Sequence, residues 1–497
     1  MDVVNPDASG NGDSRVPPSV IVRYVNSATV AINKCDTPFI LPAVTYSVER
    51  TATGEFGKIV KYYEDSTAGC VRKGKMADFL WSGHLPRIRS YLQSKGSQLI
   101  INGHVDPVTS QEPYLPLTKF PDGRTFSDFR DDQKELINRA RVRQAGVVVG
   151  FTGFGKTITA FGIMSCFPTL RFVYIAHTQD LINQPAADLD KFGMEYGVLH
   201  GGRKDWENKR IVLATRQSFI KLPIVERRKF KGVIVDETHH IADFHNQYYK
   251  ILFEMQESPV RIGLTATVHP NLKSQLVMEA MLGPVIGEIG LKKGVELKLA
   301  AEPVVYVHSL GRTTKCRSKK GVEVYLAAIV RNEERNYIIA TDVKRLVDAR
   351  LSVLVFVRRI EHGEVLQRVL REVLGIPVPF VHGSLRSINR EKVKASLKAG
   401  EYLCGITNVV WREGIDIPKL DAVINAGSGR SVLELEQTIG RAVRAVEGKT
   451  KVLVVDYEDD LHRTITEAFH VRSVLYSERG WKRVESIEGF MEERKRG

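Results

Sequence analysis

Short runs of apolar residues alternate with stretches of helical periodicity through most of the chain. Continuous runs of Val, Ile and Leu are typical of strands buried on both faces, which occur in parallel sheets covered by helices. Between residues 126 and 300 these runs are GVVVG, RFVYIAH, RIVLAT, GVIVDE and RIGLTAT. The pattern predicts a first α/β unit over residues 126–300.

A second set of apolar runs follows residue 300. It consists of VLVFV, VPFVHGS, YLCGITN, DAVINAG and KVLVVDY, again with helical periodicity between the runs. Because the pattern of the first unit is repeated, we expect a second α/β unit over residues 301–460. Residues 461–497 are expected to form a C-terminal helical extension.

The N-terminal part of the chain has a different pattern. Residues 20–104 contain short alternating runs such as SVIVRYV, SATVAIN and GKIVKYYE, and one amphipathic stretch, LPRIRSYLQSKG. This favours a small α+β accessory domain, which we expect to bind nucleic acid. Residues 1–19 have the composition of a disordered leader. Residues 105–125, with four prolines and no periodicity, are expected to be a linker.

The composition narrows the class of protein. With 43% apolar and 26% charged residues, the chain resembles an ordinary globular protein. It has no apolar run long enough to span a bilayer and no signal-peptide pattern at its start, so we expect a cytoplasmic protein, in the host cytoplasm if it is phage-encoded. Its five cysteines occur singly, which indicates neither a disulfide framework nor a zinc site.

The net charge of +14 indicates a polyanionic partner. Many basic proteins bind no nucleic acid specifically, so the charge alone does not establish such a partner. Two basic stretches, 58–75 and 311–321, could extend a nucleic-acid surface or could equally be solvated loops.

A glycine-rich loop follows the first predicted strand of the first unit. Gly150, Gly155, Lys156 and Thr157 match the pattern GxxxxGK[ST] between a strand and a helix. Such a loop holds phosphate oxygens with its backbone amides, while the lysine reaches the β- and γ-phosphates and the hydroxyl binds Mg²⁺. The pattern predicts a site for ATP and Mg²⁺.

Two adjacent acids end the strand GVIVDE. Asp236 is placed to hold the Mg²⁺ together with Thr157, and Glu237 to orient and deprotonate the attacking water. Taken alone, two acids after a strand would more often cap a helix. The phosphate loop in the same unit favours the catalytic interpretation.

One predicted helix of the second unit carries a glutamine and two arginines on the same face. Gln437, Arg441 and Arg444 are separated by four and three residues, so they share one helix face. Phosphoryl transfer needs cations beyond the γ-phosphate. The alternative is a solvated helix face with two arginines.

In order along residues 126–457, these motifs resemble those of superfamily 2 helicases of the DExH type. The resemblance implies two tandem RecA-like parallel-sheet domains preceded by a small α+β domain. For the first RecA-like domain, it implies an adenine-side motif with Arg130 and Gln133 and a phosphate loop that includes Thr152 and Gly153. It also implies nucleic-acid contacts through Thr178, Thr215 and Gln217, and coupling of the ATP state to nucleic acid through His239, Thr265 and Thr267.

The resemblance extends into the second domain. It implies nucleic-acid contacts through His382, Gly383 and Thr407, nucleotide contacts through Gly414 and Asp416, and the roles given above for Gln437, Arg441 and Arg444. The phosphate loop departs from the usual PTGSGKT, because Phe151 and Phe154 stand where the family has smaller residues.

Within the superfamily, the DExH box, RIGLTAT, NEERNYIIA and QTIGRAVR resemble the branch of XPB and restriction-type helicases, and within it the phage UvsW-type DNA helicases. The resemblance implies an ATP-driven DNA helicase or translocase that unwinds or branch-migrates junctions and forks in replication, recombination or repair. Its partners would be a single-stranded tracking strand, branched duplex DNA and single-stranded-DNA-binding or recombination proteins.

Three alternatives stay open at this point. One is an ATP-dependent RNA helicase or transcript-release factor, and another is the motor subunit of a restriction-type complex. The third, a phosphate-loop kinase or silent binding module, leaves the arginines of the second unit unexplained.

Overall fold

The computed structural model describes residues 19–26, 29–53, 59–67, 70–73, 75–102, 106–116, 118–119, 125–126, 128–269, 271–310, 321–382, 385, 392–393, 395–397, 399–408, 420–443 and 449–496. Only the backbone is described for residues 24–26, 46–53, 59–65, 118–119, 125–126, 321, 432–434, 437, 441 and 495–496. Residues 1–18 of the leader expected over 1–19 lie outside the described residues, whereas Ser19 begins a strand; residues 311–320 of the basic stretch 311–321 also lie outside them. No helix in the described ranges combines the length and the apolar character needed to traverse a bilayer.

The N-terminal module, residues 19–102, is a small α+β unit, as the sequence predicts. Its elements are β1 (Ser19–Asn26), β2 (Thr29–Asn33), α1 (Thr37–Ile40), β3 (Tyr46–Thr53), β4 (Ile59–Ser66), β5 (Val71–Arg72), β6 (Ala77–Trp81), α2 (Leu85–Ser94) and β7 (Gln98–Asn102). The sheet has the order β5–β6–β2–β1–β7, and β3 and β4 form a separate antiparallel hairpin. Alternation along β1 buries Val20 and Val22 and leaves Ile21 exposed.

The expected linker lies against the unit that follows it. Residues 106–116 contain no regular secondary structure, and β8 (Thr118–Lys119) pairs with β9 (Thr125–Phe126). The Val108 backbone and the Gln144 side chain exchange two hydrogen bonds of 2.9 and 2.7 Å. The backbone N–H of Gln111 donates to the Cys166 carbonyl oxygen over 2.9 Å. Residues 106–116 are therefore packed on the first sheet unit rather than detached from it.

The first core is an eight-stranded sheet covered by helices. Its elements are α3 (Asp131–Arg143), β10 (Ala145–Gly150), α4 (Lys156–Ser165), β11 (Phe172–Ala176), α5 (Asp180–Lys191), β12 (Gly197–His200), β13 (Arg203–Asp205), β14 (Ile211–Thr215), α6 (Arg216–Phe219), α7 (Ile224–Arg227), β15 (Gly232–Val235), α8 (Gln247–Glu254), β16 (Val260–Thr265), α9 (Leu272–Leu282), β17 (Val285–Ile289) and α10 (Leu291–Glu296). The order is β13–β12–β14–β11–β15–β16–β10–β17, with β13 alone antiparallel to its neighbour.

The second core is a seven-stranded sheet in which every described pair is parallel. Its elements are β18 (Glu302–Ser309), α11 (Gly321–Tyr325), α12 (Glu333–Asp348), β19 (Val353–Phe356), α13 (Ile360–Leu374), β20 (Phe380–Val381), β21 (Cys404–Thr407), β22 (Ala422–Asn425), α14 (Val432–Ala442), β23 (Lys451–Glu458), α15 (Arg463–Glu478), β24 (Lys482–Val484) and α16 (Ile487–Arg496). The order is β20–β21–β19–β22–β23–β18–β24. The expected C-terminal extension therefore also contributes a strand, β24, to this sheet.

The N-terminal module is docked on the first core by polar and aromatic contacts. The Arg87 guanidinium forms two hydrogen bonds, of 2.9 and 2.6 Å, with the Glu279 carboxylate. The His84 ring Nε2 lies 2.9 Å from the Leu276 carbonyl oxygen. Trp81 is buried and packs edge-on against Phe253, with ring centroids 5.8 Å apart. Because Trp81 is buried in this contact, its ring belongs to the interface between the module and the first core.

Candidate nucleotide and nucleic-acid site

The phosphate loop joins β10 to the start of α4. Gly155 precedes the helix with φ of 94°, a backbone form that glycine adopts without strain. A side chain at this position would also collide with Gln133, since an added Cβ would lie 2.7 Å from its Nε2. The Lys156 ammonium donates to the Gly150 carbonyl oxygen across the loop over 3.1 Å. Thr152 and Gly153 form the turn of the loop, and Thr157 lies in the first turn of α4.

The two phenylalanines of the loop point into the first core. Phe151 and Phe154 are both buried, and their rings meet edge to face with centroids 5.9 Å apart. Phe154 stands where the usual loop has serine, but the hydroxyl that the pattern assigns to Mg²⁺ is that of Thr157, which is retained. The departure from the usual loop sequence is therefore a packing change beneath the loop.

Arg130 and Gln133 lie at the N-terminus of α3 and bind the same loop. Arg130 Nη2 donates to the Phe154 carbonyl oxygen over 2.7 Å, and Gln133 Nε2 lies 3.4 Å from that oxygen. The Arg130 guanidinium also lies 5.1 Å from the centre of the Phe154 ring. The structure thus brings the two side chains expected to contact adenine onto the phosphate loop itself.

The two acids follow β15, which is separated from the phosphate-loop strand β10 by one strand, β16. Asp236 is buried and accepts a hydrogen bond of 2.7 Å from the Tyr174 hydroxyl on β11. Burial, and after it the charge of Glu237, raises the pKa of the Asp236 carboxyl to about 6. The Lys156 ammonium lowers this pKa, so it acts on the carboxyl through its charge. A nearby divalent cation would lower the pKa in the same way.

The donor set suits Mg²⁺. A hydroxyl, Thr157, and a buried carboxylate, Asp236, are hard oxygen ligands, and Mg²⁺ in such sites takes one or two protein ligands and completes its shell with phosphates and water. Among the described residues, no group of three or more His, Cys, Asp or Glu side chains could hold a metal ion by itself.

Glu237 has a left-handed backbone, with φ of 51° and ψ of 57°. This conformation is uncommon for a residue other than glycine and occurs at functional sites, where the surrounding structure holds it in place. It ends the strand abruptly and starts a short 3₁₀ turn over Thr238–His240. The sequence gives no signal for this strain.

The three expected coupling residues lie together next to Glu237. His239 Nδ1 is 3.4 Å from Glu237 Oε2 and 3.5 Å from Thr265 Oγ1. Thr265 Oγ1 in turn donates to the Thr267 carbonyl oxygen over 2.8 Å. A continuous path of polar contacts therefore runs from the second acid to the end of β16.

Sequence reasoning missed three residues of this region. Tyr174 gives no signal, because it resembles any other buried strand residue until its hydroxyl is seen on Asp236. His177 and His240 stack with ring centroids 4.2 Å apart, and His240 also lies against His239 at 4.3 Å. The adjacent histidines of the DETHH sequence were a usable signal, whereas the pairing with His177 depends on the order of strands.

The second core reaches the phosphate loop through α14. An added Cβ on Gly440 would lie 2.7 Å from Thr152 Oγ1, so this close approach requires a glycine. Gln437 and Arg441 belong to the same helix, but their side chains lie outside the described part of the chain. Arg444, Gly414 and Asp416 also lie outside it.

The residues expected to contact nucleic acid lie at the carboxyl ends of parallel strands. Thr178 follows β11 and Thr215 ends β14, with Gln217 exposed two residues later. In the second core, His382 follows β20 and Thr407 ends β21, while Gly383 lies outside the described residues. The buried Thr178 hydroxyl and the His382 Nδ1 have no hydrogen-bond partner among the described residues.

Comparison with known families gives two matches in the same order as the motifs. Residues 126–270 match the family described as the res subunit of type III restriction enzymes. Residues 340–446 match the helicase conserved C-terminal domain.

Individual relatives are distant. The DNA 3′-5′ translocase XPB2 of Sulfurisphaera tokodaii is 24% identical over 67% of this chain and 82% of its own length. The helicase-named protein D10 of Escherichia phage T5 is 25% identical over 68% of this chain and 73% of its own length. The match to the Rad25 helicase-named protein of Haloarcula marismortui, at 24% identity, spans 63% of this chain but only half of that protein.

Two solved structures with a TM-score above 0.5 share the fold. A single-substitution variant of Saccharomyces cerevisiae Dbp5 bound to RNA and ADP BeF3 aligns with 72% of this chain and 92% of its own, with a TM-score of 0.51 and 16% identity. The restriction–modification enzyme LlaBIII bound to DNA aligns with 77% of this chain and 32% of its own, with a TM-score of 0.54 and 15% identity. T4 UvsW covers 94% of this chain and 99% of its own at a TM-score of 0.42 and 15% identity.

The two cores are RecA-like domains, and the phosphate loop and the acidic box belong to the first of them. The two family matches and the helicase-named relatives agree with that order of motifs. The chain belongs to superfamily 2 of the helicases, a group of ATP-hydrolysing enzymes that act on nucleic acid.

Proposed function

We propose that the chain is an ATP-dependent DNA helicase or translocase whose active site forms between the two cores. The proposed boundaries are 126–300 for the first core, 301–460 for the second and 20–104 for an accessory nucleic-acid-binding domain. The observation that carries the proposal is the approach of Gly440 on α14 to Thr152 of the phosphate loop. It brings the helix of Gln437 and Arg441 to the loop that would hold the substrate phosphates.

In this proposal the first core holds the nucleotide. The backbone amides from Gly150 to Thr157 and the Lys156 ammonium bind the phosphates, and Arg130 and Gln133 hold the loop and contact the base. Thr157 and Asp236 would hold Mg²⁺, which when bound neutralises charge on the β- and γ-phosphates. Tyr174 keeps the Asp236 carboxylate oriented through its hydrogen bond of 2.7 Å.

Glu237 accepts the proton of the attacking water, with Gln437 beside it. Its left-handed backbone directly follows β15, and its carboxylate lies 3.4 Å from His239 Nδ1. Arg441 and Arg444 of the second core stabilise the charge that develops on the transferred phosphoryl group. Gly414 and Asp416 complete the nucleotide contacts from that side.

Coupling follows the contacts that link the acid to the nucleic-acid edge. Glu237, His239, Thr265 and Thr267 are consecutive neighbours in the structure. A shift of Glu237 on loss of the γ-phosphate would be passed along these contacts. Thr178, Thr215, Gln217, His382, Gly383 and Thr407 would grip the phosphate backbone at the carboxyl edges of the two sheets.

The choice of DNA is supported by relatives that are themselves named for DNA, such as the XPB2 translocase. Action on forks and branched junctions, and 3′ to 5′ polarity, are the finer parts of the proposal. RNA is the alternative substrate, because the RNA-bound Dbp5 variant aligns with this chain at a TM-score of 0.51, close to the 0.54 of the DNA-bound LlaBIII.

The test is ATP hydrolysis by the purified protein, alone and with single-stranded DNA, duplex DNA, a four-way DNA junction and RNA. Stimulation by DNA, greatest with the junction, is expected. Stimulation by RNA alone would instead support the RNA-remodelling alternative and contradict the DNA assignment.

A second candidate is the motor subunit of a restriction-type complex. The observation in its favour is the match of residues 126–270 to the res subunit of type III restriction enzymes. In that case the isolated chain would show no stimulation by any of these nucleic acids, and hydrolysis would require a partner subunit.

A further inference from the structure

A completely buried arginine lies in the stretch NEERNYIIA at the start of α12. The Arg335 side chain is fully shielded from solvent, and its guanidinium forms a forked ion pair with Asp459, with bonds of 2.8 and 3.2 Å. Asp459 directly follows β23 and is buried as well. The pair joins residues that are 124 positions apart in the chain.

The same guanidinium holds the turn that follows β22. Arg335 Nη1 donates to the Ala426 carbonyl oxygen over 3.0 Å, and Nη2 donates to Ser428 Oγ over 2.6 Å. Ser428 Oγ also donates to Asp459 Oδ2 over 2.7 Å. Arg335 therefore connects one helix, one strand end and one turn with a single planar group.

The turn needs such support, because its backbone is unusual. Ser428 has φ of 41°, in the left-handed region that residues with a side chain rarely adopt. The adjacent carbonyls are also bound: Gly427 accepts from the Tyr325 hydroxyl at 2.8 Å, and Gly429 from Arg472 Nη1 at 2.9 Å. The turn is held at three of its carbonyl oxygens, those of Ala426, Gly427 and Gly429.

The turn contacts two parts of the second core, and one of them, α14, belongs to the proposed active site. It leads directly into α14, the helix of Gln437, Gly440 and Arg441. It also packs on Arg358 at the end of β19, since an added Cβ at Gly427 or Gly429 would lie 2.9 or 2.8 Å from that side chain. A displaced turn would move the helix that faces the phosphate loop.

We propose that Arg335 is a positioning residue for ATP turnover, acting through the 426–429 turn on the placement of α14. The inference rests on the proposed function, because it assigns a step of hydrolysis to α14. Arg335 touches neither nucleotide nor nucleic acid in this role. Nucleotide binding by the first core should therefore be unaffected when Arg335 is altered.

The test uses Arg335→Lys. Lysine keeps the charge that Asp459 needs, but as a point charge it lacks the fork that reaches Ala426 and Ser428 at once. We expect nucleic-acid-stimulated kcat to fall by about ten- to a hundredfold, because small misplacements of catalytic groups have effects of that size. The KM for ATP should stay within about twofold of the unaltered protein, since only the second core is disturbed.

The matched control is Arg261→Lys. Arg261 is equally buried, but it lies near the start of β16, and its guanidinium bonds to carbonyl oxygens of Met281, Gln256 and Ser258 at the opposite edge of the first sheet. This variant should lose thermal stability and keep kcat. Equal loss of kcat in both variants would show that any buried arginine has this effect and would overturn the proposal.

Rescue by glycine separates positioning from general destabilisation. Ser428→Gly removes the backbone strain, so the turn needs less support. Added to Arg335→Lys, it should restore at least about a third of the lost kcat. No recovery of kcat would contradict action through the turn. If Arg335→Lys does not fold, Tyr325→Phe removes one bond to the same turn without burying a charge, and should lower kcat in the same direction.

Amide hydrogen exchange gives a readout that does not depend on hydrolysis. Peptides covering residues 422–443 should exchange faster in Arg335→Lys than in the unaltered protein or in Arg261→Lys. Unchanged exchange would overturn the positioning role. If the unaltered protein shows no ATPase with any nucleic acid, the proposed function fails, and the exchange measurement still decides whether Arg335 holds the turn.

Discussion

Buried carboxylates occur at the carboxyl edges of both sheets, but the two cores treat them differently. In the second core, Asp456 forms a forked ion pair with Arg472 and accepts a hydrogen bond from the Tyr476 hydroxyl. Asp459 forms an ion pair with Arg335. In the first core, Asp236 receives a hydroxyl bond from Tyr174 at the same 2.7 Å, but the adjacent charge is another carboxylate, Glu237.

The difference separates structural acids from catalytic ones. A buried carboxylate with its own arginine has its charge compensated by the protein and holds elements together. A buried carboxylate beside a second carboxylate has a raised pKa, and a bound divalent cation would stabilise its anion. The first core thus keeps a charge demand that Mg²⁺ and substrate would meet, at some expense of stability.

The largest expected effect is on hydrolysis itself. Glu237→Gln and Lys156→Ala should each lower ATP turnover at least about a thousandfold, because the first removes the base and the second a cation on the phosphates. Phosphate release measured with saturating nucleic acid checks both variants. Glu237→Gln should still bind a fluorescent ATP analogue. Turnover close to that of the unaltered protein in either variant would remove the residue from the site.

The next largest effect concerns Asp456, the buried carboxylate that is paired with an arginine. Arg472→Met leaves Asp456 buried without its cation and should lower the free energy of unfolding by about 3 to 5 kcal/mol. Chemical denaturation of the nucleotide-free protein measures it. The control is Arg463→Met on the same helix, where the pair with Glu467 is largely exposed. That variant should change stability by less than about 0.5 kcal/mol. Similar losses in the two variants would contradict the structural role of the Asp456 pair.

Removing the charge of Asp236, which has no arginine partner in the part of the chain that the structure describes, should have the opposite effect on stability. Asp236→Asn should abolish turnover and yet raise the free energy of unfolding of the nucleotide-free protein at pH 7 by about 2 to 3 kcal/mol. The reason is that the pKa of Asp236 is about 6 in the folded protein and lower in the unfolded chain.

The sign follows from proton binding. The folded state binds the Asp236 proton more tightly, so this group favours folding below about pH 4 and loses that contribution as the pH rises through about 6. Denaturation at pH 4, 5, 6 and 7 should therefore show that the free energy of unfolding of Asp236→Asn, relative to that of the unaltered protein, increases as the pH rises. A constant difference across this range would mean that Asp236 is compensated like Asp456.

The smallest effect compares two matched hydroxyls. Tyr174→Phe and Tyr476→Phe each remove a bond of 2.7 Å to a buried aspartate. Each should lower stability by about 1 kcal/mol. Tyr174→Phe alone should also raise the pKa of Asp236 further, so that half-maximal hydrolysis needs roughly threefold more Mg²⁺ at pH 7. An equal change in Mg²⁺ dependence for Tyr476→Phe would remove the distinction between the two cores.

Much of the fold was predictable from local pattern. The runs GVVVG and GVIVDE became β10 and β15, because a strand covered on both faces must be apolar along its whole length. Five strands were missed: β12, β13, β17, β18 and β24. β13, β17 and β24 are edge strands that lack such a run, whereas β12 and β18 are interior strands that the pattern did not identify. Edge strands are defined by their neighbours rather than by their own residues.

The chain's own sequence determined the order of the motifs, and with it the phosphate loop, the acidic pair and the family. These are local patterns in which residue type and spacing carry the chemistry. Only the tertiary structure decided that Tyr174 binds Asp236, that Glu237 and Ser428 have left-handed backbones, and that Arg335 reaches Asp459. Such contacts depend on which strands lie side by side, and pairs separated by 62 or 124 residues leave no mark in a local pattern.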